Sequence, residues 1–164
     1  MGPEPLGPEH VVEGFSCGAE SLDRYLLAQA LADQRAEKSR TYVLERGGRV
    51  VAYFTLAATG MKPQDASVRL AAGQSSQMIP VILLARFAVD VEFHGLGMGW
   101  GMLIEALARC ASAAETIGAR AVLVHATGER AASFYRKYGF EESRTDPLNL
   151  TLLMKDIRKT LGTG

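Results

Sequence analysis

The sequence predicts a mixed α/β fold, a central mixed β-sheet with helices on both faces. Three observations predict it. Val81–Val89 reads V-I-L-L-A-R-F-A-V, a run that fits a strand buried on both faces. A glycine-rich turn then leads into an amphipathic stretch in which Leu103, Leu107, Cys110, Ala114 and Ile117 recur at steps of four and three. Short apolar segments alternate with helical spacing from there to the C-terminus, the pattern of a sheet layered with helices.

At 164 residues, 48% of them hydrophobic, the chain is expected to form one domain over 1–164 that buries a core without disulfides or metal. Three prolines and two glycines in M-G-P-E-P-L-G-P suit neither helix nor central strand, so residues 1–9 are expected as a loose arm. Cys17 to Lys38 is rich in Ala, Leu, Gln and Glu and reads as one or two helices. Arg40–Glu45 and Arg49–Thr59, joined by R-G-G-R, form a hairpin. Gly60–Pro80 lacks clean periodicity and is expected as a long mobile loop with room for one short helix or strand. Gly118 closes the long helix, Ala121–Val124 is a short buried strand, Glu129–Tyr138 is a helix ended by Gly139, and Leu148–Met154 is a last strand.

Formal charge sums to zero, but Met1–Asp23 holds five acidic residues and no lysine or arginine, so the remainder is basic and an anionic partner stays open. Cys17 and Cys110 match no metal or redox spacing and read as reduced, structural thiols. No apolar run approaches the roughly 18 residues of a spanning helix, so a cytoplasmic protein without a membrane partner is expected.

The segment that carries chemistry is F-A-V-D-V-E-F-H-G-L-G-M-G-W-G-M-L, a buried strand feeding a loop of alternating glycines and then a helix. Glycine lacks the Cβ that would keep an anionic oxygen away, and the first-turn N–H groups point toward such an oxygen at the positive end of the helix dipole. No Gly-Lys-Ser/Thr follows, and no acidic residue sits where a dinucleotide fingerprint places one, so the spacing suits a different diphosphate. Close helix packing is the alternative use of these glycines.

Here the sequence resembles the GNAT acetyltransferase superfamily. H-G-L-G-M-G stands where that family has its pyrophosphate loop, with His94 in place of the usual Gln or Arg, and A-A-S-F-Y-R-K-Y-G-F is strongly similar to its later helix. The resemblance implies a sheet of six to seven strands splayed at a cofactor cleft, and acetyl-CoA as the cofactor. It implies that Phe87, Ala88, Val89, His94, Gly95, Leu96, Gly97, Met98, Gly99, Trp100 and Phe134 bind that cofactor, the pantetheine amides pairing with the backbone of Phe87 and Val89. It makes Tyr135 the acid that protonates the departing sulfur, because a phenol with a pKa near 10 stays protonated at neutral pH. Read without the resemblance, Tyr135 is a packing residue beside Phe134 and Tyr138. His125 reads as a satisfied core residue and His94, lacking a second ligand nearby, as no metal site.

The whole-chain pattern, from F-S-C-G-A-E-S-L-D-R-Y-L through S-R-T-Y-V, V-V-A-Y-F-T-L-A-A and I-P-V-I-L-L-A-R-F-A-V-D to F-Y-R-K-Y-G-F, is similar to the acetyltransferase toxins of bacterial toxin–antitoxin pairs. That implies aminoacyl-tRNA as substrate, a ribbon-helix-helix antitoxin and a homodimer. Candidate phosphate or substrate contacts are Arg24, Arg35, Lys38, Arg40, Arg46 and Arg49, with Arg86, Arg136 and Lys137; Arg40, Arg86 and Arg136 are the named substrate candidates. Arg86 is pointed because it interrupts an apolar strand, where a buried guanidinium demands a partner. Two alternatives remain at this point: an acetyltransferase of small amines or protein N-termini, and a non-catalytic acetyl-CoA-binding module.

Overall fold

The computed structural model describes residues 2–163. In chain order its elements are β1 (Glu4–Pro5), α1 (Glu20–Ala28), α2 (Ala30–Arg35), β2 (Arg40–Arg46), β3 (Arg49–Met61) and α3 (Val68–Ala71). These are followed by β4 (Ile79–Val89), α4 (Met98–Ile117), β5 (Ala121–His125), α5 (Glu129–Lys137), β6 (Glu141–Glu142), β7 (Asn149–Leu153) and α6 (Met154–Leu161). The seven strands form one sheet in the order β1-β2-β3-β4-β5-β7-β6. The chain divides into two compact units: residues up to Ala57 with Ala85–Ala106, and Ala58–Leu84 with the chain from Leu107 on.

In the first unit β1, β2 and β3 run antiparallel. The turn between β2 and β3 uses Gly47 at φ 62 and Gly48 at φ 80, the two successive left-handed positions that a two-residue hairpin turn needs. One core joins Leu26 and Ala30 of the two early helices to Val43, Val50, Tyr53 and Ala88. Tyr53 is fully buried, and its hydroxyl donates to the Leu22 carbonyl at 2.7 Å, which ties α1 to the sheet.

The arm expected to be loose over 1–9 is corrected by the structure: within its described residues Glu4 and Pro5 pair with Val43 and Tyr42 as β1. Met1 lies outside the described residues. Distant partners supply the physical reason. Leu6 is buried in the core, and its N–H donates to the Thr41 carbonyl at 2.9 Å. His10, also buried, accepts from the Gly7 N–H at 2.9 Å and donates from Nε2 to Glu4 at 2.7 Å, so both ring nitrogens hold the arm down. The prolines do no harm on an edge strand, where no ladder N–H is needed on the outer side.

In the second unit β4 and β5 are parallel over Val81–Leu84 and Ala121–Val124, and β5, β7 and β6 continue antiparallel. The Gly60–Pro80 segment contains a 3-10 turn at Pro63–Asp65 and the short helix α3, capped by the Ser67 hydroxyl, which accepts from the Leu70 N–H at 3.1 Å. It is anchored: Leu70 is fully buried among Met61, Ile79, Val81 and Leu123, and Arg144 donates to the carbonyls of Ala66 and Pro63. Along α4, residues Leu103, Leu107, Cys110 and Ala114 are buried as their spacing predicts, but Ile117 is 73% exposed because the helix runs past its support in the last turn. Gly118, at φ 78, then closes the helix. No helix among the described residues is long and apolar enough to cross a membrane.

Candidate active site

The glycine loop is set up by Asp90, a residue sequence reasoning quoted but gave no role. Its side chain is 3% exposed and accepts three hydrogen bonds: from the Ser16 N–H at 3.1 Å, from the Glu92 N–H at 3.0 Å and from Arg49 at 3.1 Å. Its own N–H donates to the Val51 carbonyl at 2.8 Å. Burial disfavours the charged carboxylate, yet the two backbone donors and the guanidinium outweigh that and hold its pKa below the usual range. The 3-10 turn Val91–Phe93 starts from this anchor. An aspartate placed directly after a buried strand is a turn signal that sequence reading can use.

Beyond that turn, Gly95 and Gly97 adopt φ 77 and φ 78, left-handed values that a side chain would strain. A Cβ built at either glycine, or at Gly101, meets nothing within 4 Å, so the approach to their backbone is open. Gly97, Met98 and Gly101 also line a recess of about 340 Å³ with Leu44, Arg46 and Glu105. Helix α4 starts at Met98; the Gly101 N–H donates to the Gly97 carbonyl at 3.1 Å, and the N–H groups before it point out of the helix start. Loop and helix start therefore fit a diphosphate that approaches along the backbone. Leu96, 71% exposed, lines the same recess, and Trp100 lies in the first turn of α4. Substituting Gly97→Ala is expected to weaken acetyl-CoA binding about tenfold by straining the φ-positive turn; calorimetric titration with acetyl-CoA checks it, and unchanged affinity rejects the loop as the grip.

Strand alternation decides which residues of β4 take part. Because the Asp90 N–H goes to β3, Phe87 and Val89 turn their backbone groups toward the other edge, where pairing with β5 stops at Leu84. Ala88 lies between them with its side chain buried in the core with Leu26 and Ala30 and its backbone toward β3. His94, at the position where the family carries Gln or Arg, is exposed and donates from Nε2 to the Val89 carbonyl at 2.6 Å. That carbonyl has a second lone pair for another donor.

Tyr135 lies on the buried face of α5 with Ala132 and is 8% exposed. Its ring meets Phe134 at 5.3 Å and Phe140 at 5.2 Å, both edge-on, and Phe134 meets Tyr138 at 5.1 Å. The turn that brings Phe140 back uses Gly139 at φ 96, with the Phe140 N–H donating to the Tyr135 carbonyl. Burial pushes the phenol well above its ordinary pKa, so it stays protonated throughout the neutral range.

Other expected residues fare differently. Arg86 is half-buried with its guanidinium 4.4 Å from the Tyr25 ring centre, and the Tyr25 hydroxyl donates to Asp33 at 2.9 Å; the partner that its burial demands is an aromatic face. Arg136 is paired with Glu129 and, at 3.1 Å, with Glu142, so its charge ties α5 to β6. Arg49 is likewise committed to Asp90 and Glu92, and Arg24 to Glu20. Arg40 is exposed at the start of β2. His125, expected in the core, is exposed at the end of β5 with Nδ1 2.6 Å from Asn149 Oδ1. Burial raises the Cys17 thiol to about 11 and the Cys110 thiol to about 12, so neither is a thiolate nucleophile.

A strand ending at an anchored aspartate, a turn of left-handed glycines and a 20-residue helix define an acetyltransferase of the GNAT type. The pattern of the acetyltransferase (GNAT) domain matches residues 37–142, and the chain belongs to this family of acetyl-CoA-dependent N-acetyltransferases. It is 44% identical over 160 residues to the tRNA-acetylating toxin of Mycobacterium tuberculosis, covering 98% of this chain and 96% of that one. Among solved structures it superposes on AtaT complexed with acetyl-methionyl-tRNAfMet with a TM-score of 0.89 at 24% identity, covering 98% of both chains. A tyrosine-to-phenylalanine mutant of AtaT bound to the C-terminus of the antitoxin AtaR and acetyl-CoA gives 0.84 at 24%, covering 98% of this chain and 97% of that one. At that identity the superpositions speak for the shared fold.

Proposed function

We propose that this protein is a toxin that transfers an acetyl group from acetyl-CoA to the α-amino group of an aminoacyl-tRNA and so halts translation. The observation that carries this reading is the 44% identity, over 98% of the chain, to a tRNA-acetylating toxin. A cytoplasmic homodimer of one acetyltransferase domain, restrained by a ribbon-helix-helix antitoxin, completes the reading; AtaT bound to a segment of its antitoxin supports the antitoxin.

Bound acetyl-CoA supplies an activated acetyl thioester. The left-handed turn at Gly95 and Gly97 and the first N–H groups of α4 hold its diphosphate, while Phe87 and Val89 align its amide-bearing arm. That thioester would be the acceptor of the amine nitrogen, with the coenzyme A thiol as leaving group. Tyr135 would give its hydroxyl proton to the departing sulfur and regain one, through water, from the acceptor nitrogen, which sheds a proton as the amide forms. No base is needed on the protein, because an α-amino group with a pKa near 8 is substantially neutral at working pH, unlike a lysine amine near 10.4.

The reading is tested by incubating the purified protein with labelled acetyl-CoA and total charged tRNA, free polyamines or peptides. Label is expected on the amino group of aminoacyl-tRNA. Labelled polyamines or peptides beside unmodified charged tRNA overturn it.

A further inference from the structure

The second unit contains a recess of about 420 Å³ whose wall carries four cationic side chains, Arg69, Arg120, Lys155 and Arg158, over an apolar floor of Leu153 and Met154. Arg69 is neutralised there by Asp156 at 2.7 Å and Glu141 at 3.4 Å. Among the described residues no carboxylate pairs with Arg120, Lys155 or Arg158. Arg120 is held in place by donating from Nε to the Leu70 carbonyl at 3.3 Å, which leaves the outer edge of its guanidinium toward the recess. Helix α6 begins on the same wall, where the Met154 N–H donates to the Arg120 carbonyl at 2.8 Å and fixes Arg120 beside the helix start. Like charges brought together around a recess repel one another, and an anion relieves that repulsion. Guanidinium and ammonium donors match the several oxygens of a phosphate better than a single carboxylate.

We propose that this recess binds a backbone phosphate of the RNA substrate, at a distance from the reacting amino group. The proposal rests on the tRNA reading given above. It adds a place of contact that none of the cations picked out in the sequence supplies, several of which are held by carboxylates. The recess lies at the Arg120 end of β5, whereas His125 closes the opposite end, about 13–16 Å away for a five-residue strand. A small amine or a peptide N-terminus is cationic and has no phosphate to place there, but a polynucleotide does.

The test is the double variant Lys155→Gln with Arg158→Gln, compared with wild type and with the charge-conserving pair Lys155→Arg with Arg158→Lys. Affinity for tRNA is read by fluorescence anisotropy across a salt series, KM for charged tRNA by acetylation, and acetyl-CoA affinity by calorimetry as the check on folding. Neutralisation is expected to weaken tRNA binding by roughly tenfold or more at 0.1 M salt, to lower the slope of log K against log salt by about two, and to raise KM. The charge-conserving pair is expected to restore all three, with acetyl-CoA affinity constant throughout. If wild type acetylates charged tRNA and the neutralised variant matches it in affinity, slope and KM, the proposal is overturned. It is overturned in favour of a protein partner if only binding of an acidic antitoxin peptide is lost. Wild type that leaves charged tRNA unmodified brings down the tRNA reading itself, and the RNA assignment of the recess with it.

Discussion

Tyr135→Phe is expected to lower turnover of charged tRNA by about 10²–10⁴-fold, the range of a lost general acid, while acetyl-CoA binding stays within about twofold. The ring is retained, so the edge-on contacts with Phe134 and Phe140 persist and the buried face of α5 is not opened. Only the hydroxyl is removed. Its burial raises the phenol pKa, so the group stays protonated while the acceptor amine, near 8, loses its proton. The rate is therefore expected to rise with pH through the ionisation of the acceptor, with no falling limb from Tyr135 below about pH 10. Rapid-quench acetylation under single-turnover conditions measures both. Equal rates for Tyr135→Phe and wild type would return Tyr135 to a packing role and leave the sulfur to be protonated by water.

How far the sequence could be read depends on how local each feature is. The β4 strand was legible because its first half is buried and an apolar run records that directly; the second half, with Phe87 and Val89 only half-buried, coincides with the loss of β5 pairing after Leu84. The hairpin and the closing glycines at 118 and 139 were legible because a left-handed backbone is a property of one or two residues. Strand β1 was not, since two prolines say locally what Leu6 and His10 overrule through distant partners. Helix α6 escaped because eight residues with Met154 and Ile157 as their buried positions and no capping side chain leave too little periodicity to detect. In the site the glycines were legible, but the fixture behind them was not: Asp90 meets Arg49 across 41 residues and Ser16 across 74. Charge was the least legible of all. Nothing in the string distinguishes Arg136, held by two glutamates, from Arg158, which faces a recess without one.

Removing the Asp90 charge with Asp90→Asn is expected to destabilise the fold by roughly 2–4 kcal/mol, because hydrogen bonds to a buried charged acceptor are among the stronger ones and one N–H or guanidinium donor loses its partner to the new amide. The same residue makes stability depend on acid. An unfolded aspartate titrates near 3.9, whereas the native carboxylate titrates lower, since the donations from Glu92, Ser16 and Arg49 outweigh the effect of burial. The native state thus binds fewer protons than the unfolded state between those two values. Its contribution is complete above about pH 5 and is lost as pH falls through the native pKa. Urea unfolding from pH 7 to pH 2 is expected to show a lower plateau and a shallower acid decline for Asp90→Asn than for wild type; coincident curves remove Asp90 as an anchor. Because Asp90 starts the turn that delivers Gly95 and Gly97, acetyl-CoA affinity is expected to fall with stability, and Asp90→Glu separates the two causes. Glutamate restores a carboxylate and hence an acid limb, but its extra methylene cannot meet the Ser16 and Glu92 N–H groups together, so the limb returns while cofactor affinity stays low.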